Sequence, residues 1–376
     1  MANSKPNLNI ELTTSGICDM KCTYCFEGEK TDKKRFSNFD LLFKRIEEVK
    51  KSDFYKDFGG ISINFWGGEP TLNWKYIRVV TEKYADDPEV QFHLYSNGYN
   101  FKNMARTLEG FKDIKHKVFI QISFDGKTND IFRVASNGGT SENVMKTFQY
   151  LADEGYNIHM KATMPIQTVS NIFENWNHYR ELFYKYKNYE NVFISYAPTI
   201  DYTQNAYNVG ELEPKLDKFR EQMMLVAKGE IQFMREHDRF LMSWFNTDIK
   251  EEKTNCSAGV NFISVDTEGD SYACHGAFYS SIKDELKQSS LEDDNFVENV
   301  TKFNSNIKTV LNHTPDSCRG CESTYCAVCP VVLAENSKKE TLTERWSDRP
   351  AHGLCPFYKA FGLIHRAMIK HLSNTL

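Results

Sequence analysis

The sequence predicts an α/β protein built on a parallel sheet, followed by a smaller cysteine-rich unit. Three observations carry this. Short, β-rich apolar runs alternate with longer amphipathic stretches from residue 8 to about residue 200; the composition changes near residue 236; and seven of the ten cysteines lie beyond residue 250. Repeated strand-helix units favour a parallel sheet, either an open doubly wound one or a barrel.

Six strands are expected, in order LNIELTT (8–14), GISINFW (60–66), VQFHLYS (90–96), KVFIQISF (117–124), NIHMKATM (157–164) and NVFISYA (191–197). Each is short and rich in β-branched and aromatic residues, as strands are. Between them, 38–51 carries Leu41, Leu42, Phe43, Ile46 and Val49, and 142–154 carries Val144, Phe148 and Leu151, at helical spacing. A further helix is expected over roughly 212–236, after which a domain boundary divides 1–235 from 236–376. In the second part, NFISVDTEGDSYAC (261–274) reads as two short strands around a Glu-Gly-Asp turn, and FYKAFGLIHRAMIKHL as a closing amphipathic helix.

The 46 basic and 51 acidic residues, net charge -5, are well mixed, with no basic block for nucleic acid or anionic lipid. The start of the chain, MANSKPNLNIEL, lacks the apolar core of a signal peptide, and no uncharged apolar run approaches the length of a membrane span. The expectation is a soluble cytoplasmic protein with no nucleic-acid or membrane partner. In that reducing compartment ten cysteines are better read as metal ligands or catalytic groups than as disulfides.

Cys18, Cys22 and Cys25 follow the first strand with spacing C-x3-C-x2-C. Three close thiolates hold three corners of a cubane iron-sulfur cluster and leave the fourth iron for an outside ligand. Zinc is the rival, because a catalytic zinc also has three protein ligands and an open position. The spacing, with Tyr24 before the last cysteine, resembles the signature of the radical S-adenosylmethionine (radical SAM) enzymes. The resemblance implies that the open iron takes the methionine moiety of S-adenosylmethionine, whose reductive cleavage gives a 5'-deoxyadenosyl radical.

Further segments join the resemblance. GGEP, with Gly67, Gly68 and Glu69, follows the second strand; SNG, with Asn97, ends the third; SFDG, with Ser123, ends the fourth; and Arg133 follows. Each motif alone is an ordinary turn. The cysteine loop and these three motifs all fall at the C-terminal ends of expected parallel strands, where strand-helix barrels build their sites. By resemblance these residues and Tyr24 contact the cosubstrate, and the six units form a partial (β/α)6 TIM barrel.

The later cysteines run Cys256, Cys274, then Cys318-x2-Cys321-x4-Cys326-x2-Cys329, then Cys355. The gap between the two C-x2-C pairs is tighter than in zinc ribbons. The pattern resembles the SPASM domain of peptide- and protein-modifying radical SAM enzymes, with two middle gaps one residue short. The resemblance implies two auxiliary clusters, hence three [4Fe-4S] clusters in all: Cys318, Cys321, Cys326 and Cys355 on the outer one, Cys256, Cys274 and Cys329 on the inner one. The stretch TDIKEEKTN before Cys256 offers no further cysteine, which leaves the inner cluster's fourth ligand open.

The resemblance implies an oxidoreductase acting on a peptide or protein, with an external electron donor such as flavodoxin or ferredoxin. The first expectation is maturation of a ribosomal precursor peptide by a thioether or carbon-carbon crosslink. The alternative is an anaerobic sulfatase-maturating enzyme that oxidises Cys or Ser to formylglycine. Enzymes of that type place Asp after the cysteine matching Cys274 and Gln before GGEP; here the residues are His275 and Trp66. His275 is the candidate base, and Glu322 and His352 lie near other cysteines.

Overall fold

The structure, a computed structural model, describes residues 5–25, 27, 34–200, 209–246, 256, 258–311, 318, 320–326, 329–335, 337, 339–347 and 354–374. The chain begins with strand β1 (Leu8–Thr13) and continues through helix α1 (Phe39–Lys50), β2 (Ile61–Trp66), α2 (Trp74–Tyr84), β3 (Val90–Ser96), α3 (Phe101–Glu109) and β4 (Val118–Ser123). After β4 come the single turn α4 (Asn129–Phe132), α5 (Ser141–Asp153), β5 (Asn157–Lys161), β6 (Thr163–Met164), α6 (Ile172–Tyr186), β7 (Val192–Phe193), β8 (Thr199–Ile200) and the long α7 (Val209–His237). The second part contributes β9 (Phe262–Val265), β10 (Asp270–Tyr272), β11 (Lys287–Ser290), α8 (Phe296–Leu311), α9 (Pro330–Glu335), α10 (Leu342–Ser347) and α11 (Cys355–Ser373).

Strands β1, β2, β3, β4, β5 and β7 lie side by side in sequence order, all parallel. This is the expected run of strand-helix units, with helices covering one face of the sheet. β9 pairs parallel to the free side of β1, and β10 and β11 follow antiparallel. The sheet therefore runs unbroken from the barrel into the cysteine-rich part. The expected pair of strands in 261–274 is there, and it is also the seam between the two parts.

Two expected strands are shorter than their sequence runs, for identifiable reasons. NIHMKATM breaks after Lys161: the Thr163 amide donates to the Asp125 carboxylate at 2.8 Å, and β6 then pairs with β8. NVFISYA leaves the sheet after Phe193, because Tyr196 exchanges backbone hydrogen bonds with Leu241 and Ser243 beyond α7. Among the described residues no helix is long and apolar enough to cross a membrane.

The pleat explains what the sheet encloses. Ile61, Ile63 and Phe65 of β2, Val90, Phe92 and Leu94 of β3, and Val118, Ile120 and Ile122 of β4 point to the helices and are almost wholly buried. The alternate residues of β3, β4 and β5 face the other way, and every one keeps partial exposure: Gln91, His93, Tyr95, Phe119, Gln121, Ser123, Asn157, His159 and Lys161. A packed barrel interior is dominated by branched aliphatic side chains. This one is polar and partly open, which suits a ligand with hydrogen-bonding groups.

Candidate active site

The cysteine loop leaves β1 and runs across the C-terminal ends of the strands. Backbone holds it on two sides. Lys21 and Thr23 donate to the carbonyls of Val134 and Phe132, at 2.7 and 3.0 Å, and Met20 bridges Ala135. On the other side Gly68 and Glu69 donate to Ser15 and Ile17, at 3.0 and 2.8 Å. GGEP thus cradles the segment that enters the loop. The two glycines admit the chain's own backbone: Gly67 has φ +125°, and a Cβ on Gly68 would lie 2.5 Å from the Ile17 carbonyl carbon.

Glu69 is buried and ties β2 to β3. Its carboxylate accepts from Thr71 (backbone 3.1 Å, hydroxyl 2.7 Å), the Ser96 hydroxyl (2.9 Å) and the Asn97 amide (2.7 Å). Burial, reinforced by Asp19 and opposed by these bonds, pushes it up to about 7. Asn97 is thereby aimed at the loop: its side-chain nitrogen donates to Asp19 at 2.8 Å and lies 3.7 Å from the Cys18 sulfur.

On the far side, Asp125 of SFDG is the hub of a buried triad. It accepts the Tyr24 hydroxyl at 2.5 Å and the Arg133 Nε at 2.9 Å on one oxygen, and the Thr163 amide on the other. The Arg133 guanidinium lies over the Tyr24 ring, 5.3 Å from its centroid. Burial raises the Tyr24 hydroxyl well above its ordinary range, so it is a donor, never a phenolate. Arg133 is thus anchored beside the cysteine loop, with Ser123 at the end of β4 facing the interior.

A second set of residues meets inside the barrel. Glu11 points inward from β1 and accepts from His275 Nδ1 at 3.1 Å, from the His275 amide at 3.3 Å, and from the Ser264 hydroxyl. The His275 ring stacks on Trp66 with centroids 4.0 Å apart, and Trp66 meets Tyr95 edge-on at 5.2 Å. Burial alone would raise the carboxyl and lower the imidazole; their mutual attraction outweighs it, holding Glu11 below and His275 above their ordinary values. Sequence reasoning reached His275 but missed Glu11. The signal was a charged residue at an alternate, inward position of β1, between Asn9 and Thr13.

Cys274, at the foot of this set, is driven well above the ordinary thiol range by burial and then by Cys329 and Cys256. Cys329 and Cys256 therefore lie near enough to Cys274 to act on it. Among the described residues no three or more Cys, His, Asp or Glu side chains converge on a single point as a lone metal ion would require. Soft thiolate sets on loops fit an iron-sulfur cluster, in which each sulfur binds a different iron. Cys18, Cys22 and Cys25 on their loop would hold such a cluster, with Asn97 near Cys18. Near the remaining cysteines, Thr324 bonds His365 of α11 at 2.9 Å and Tyr325 stacks on Trp244, which hold the segment leading to Cys326 in place. Glu322 is exposed, and His352 lies outside the described residues.

Comparison with known proteins agrees with this geometry. Residues 12–182 match the family model described as the radical SAM superfamily. The chain is similar to the radical SAM cyclopropyl synthase TigE of Paramaledivibacter caminithermalis, 23% identical over 97% of this chain and 74% of the relative. It is also similar to the cysteine-type anaerobic sulfatase-maturating enzyme of Clostridium novyi, 24% identical over 82% of this chain and 83% of the relative. Among solved structures, native anSMEcpe with bound AdoMet and Cp18Cys peptide shares the fold with a TM-score of 0.69, at 14% identity, over 98% of this chain and 100% of that one.

Proposed function

We propose that this chain is a radical SAM enzyme of the peptide- or protein-modifying kind, a partial barrel with a SPASM-type extension, that matures a precursor peptide by forming a crosslink. Its cofactors are S-adenosylmethionine and iron-sulfur clusters, which when bound supply a hydrogen-abstracting 5'-deoxyadenosyl radical. We assign the radical-generating cluster to Cys18, Cys22 and Cys25. Two auxiliary clusters go to Cys318, Cys321, Cys326 and Cys355, and to Cys256, Cys274 and Cys329. Tyr24, Gly67, Gly68, Glu69, Asn97, Ser123 and Arg133 serve the cosubstrate. Some act through their neighbours: Glu69 by orienting Asn97, the glycines by admitting the loop entry. The domain division near residue 236 stands as a proposal too, with β9 as the joint.

One observation favours crosslinking over formylglycine formation. The two departures from the sulfatase-maturase pattern, Trp66 and His275, stack on each other as a single unit held by Glu11. Where that pattern has a lone carboxylate beside an amide, this chain has an aromatic wall and an imidazole that is itself bound to a carboxylate. His275 is the candidate proton acceptor, and a cluster held by only Cys256, Cys274 and Cys329 would leave one iron open to a substrate thiolate, which favours a thioether. The second reading, sulfatase maturation, is supported by the similarity to the Clostridium novyi enzyme.

The test is anaerobic turnover of cysteine-containing peptides with mass analysis and two chemical probes. A thioether removes two hydrogens, blocks the thiol towards alkylation and gives no hydrazide adduct. Formylglycine forms a hydrazide adduct, and finding it would replace the first reading by the second.

A further inference from the structure

Among the described residues, the interior of the barrel carries one cation with no counter-charge, Lys161. Lys161 ends β5, in register with Ser123 at the end of β4, and the pleat turns both inward. Among the described residues its ammonium has no hydrogen bond and no ion pair. The other ionisable groups on these inward faces are accounted for. Glu11 is bound to His275; His159 Nε2 meets Gln121 at 3.2 Å, and His93 Nε2 meets Gln91 at 3.2 Å. Both of these histidines are pushed down to about 4, by burial first, and are neutral at physiological pH. Burial also lowers the lysine, and no carboxylate offsets it.

A half-buried lysine is costly to keep unpaired, and the cost is recovered when an anion arrives. The cysteine loop already has its own cation in Arg133, fixed by Asp125 over Tyr24. Lys161 lies on β5, the fourth strand along from β1, and the pleat turns it inward with Gln121 and His159. We propose that Lys161 is a specificity-determining residue that anchors a carboxylate of the substrate, an Asp or Glu side chain or a C-terminal carboxylate, inside the barrel. The inference rests on the peptide reading above and adds the chemical class of residue that accompanies the modified one.

The test uses the reconstituted full-length enzyme and a library of synthetic cysteine-containing peptides in matched pairs, Asp or Glu against Asn or Gln, with free or amidated C-termini. The readout is the acid-to-amide ratio of kcat/KM for peptide-stimulated S-adenosylmethionine cleavage. The wild type is expected to prefer the acid by about tenfold or more, the worth of one charge-assisted hydrogen bond. Lys161→Met should collapse that ratio to near one, and Lys161→Glu should invert it towards peptides with Lys at the same place. A merely structural lysine would not reverse the preference. An unchanged ratio in Lys161→Met, or weakened cosubstrate affinity with the ratio intact, overturns the proposal while leaving the peptide reading standing. If no peptide stimulates cleavage by the wild type, the peptide reading falls and this inference with it.

Discussion

Replacing Gly68 by Ala tests how GGEP works. Gly68 is in a conformation that alanine can adopt, so the effect is purely one of space. The new Cβ would lie 2.5 Å from the Ile17 carbonyl carbon and 2.9 Å from the Gly16 oxygen, with the Ile17 oxygen closer still. All three are backbone atoms, so no side chain can swing aside. In a close-packed interior the 15–17 segment must retreat by roughly 1 Å, carrying Cys18 with it. Overpacking of this kind costs about 1–3 kcal/mol, and a shift of that size at a reacting centre costs on the order of 100-fold in rate. Thermal unfolding, bound iron and 5'-deoxyadenosine formation are measured beside Gly110→Ala, whose Cβ meets nothing nearer than 3.5 Å. The expected result is a lower melting temperature and a deep loss of cosubstrate cleavage in the first variant only. Wild-type melting and cleavage in Gly68→Ala would refute the idea that the glycines exist to admit the loop.

Other expectations bear on different parts of the molecule. Asp125→Ala strands the buried Arg133 and should cost about 3–5 kcal/mol in denaturant unfolding, whereas Tyr24→Phe removes one hydrogen bond and should cost about 1–2 kcal/mol; equal effects would contradict the hub role of Asp125. Gly229→Ala places a Cβ 2.7 Å from Cζ3 of the buried Trp176 ring, with Cη2 closer still, where α7 crosses α6, and should destabilise by about 1–3 kcal/mol without changing the iron content of the folded fraction. Glu230 is pushed up to about 7 by burial, although Trp176, Leu241 and Met242 all donate to it. Its folded value lies above its unfolded one, so its contribution is full below about pH 4.5 and fades as pH rises through about 7. Glu230→Ala should therefore be more destabilising at pH 5 than at pH 7.5 in urea titrations; an equal penalty at both would contradict the assignment.

The strand-helix order was legible because each β run pairs apolar character with strand length, and the cysteine loop because three cysteines at such short spacing on one loop have few uses besides holding a metal or cluster. Residues that act through distant partners were harder to read. Asp125 looks like a turn-former in SFDG; only the fold brings Tyr24, Arg133 and Thr163 to it. The glycines of GGEP read as a turn, and only the fold shows that they admit the backbone of Ser15 and Ile17. Strand lengths after Lys161 and Phe193 depend on pairing with β8 and with residues beyond α7, which no local pattern encodes. The polar interior was there to be read in the alternation of VQFHLYS and VFIQIS, where Gln91, His93 and Gln121 fall between buried apolar neighbours.

The proposed cofactor set is one radical-generating cluster on the first cysteine loop and two auxiliary clusters on the later cysteines. Iron and sulfide are measured after anaerobic reconstitution of the wild type and of the Cys18/Cys22/Cys25→Ala variant, with reductive S-adenosylmethionine cleavage assayed on both. The expected result is about twelve irons falling to about eight, with 5'-deoxyadenosine formation abolished. Zinc in place of iron, or a fully loaded wild type that does not cleave the cosubstrate, would contradict it.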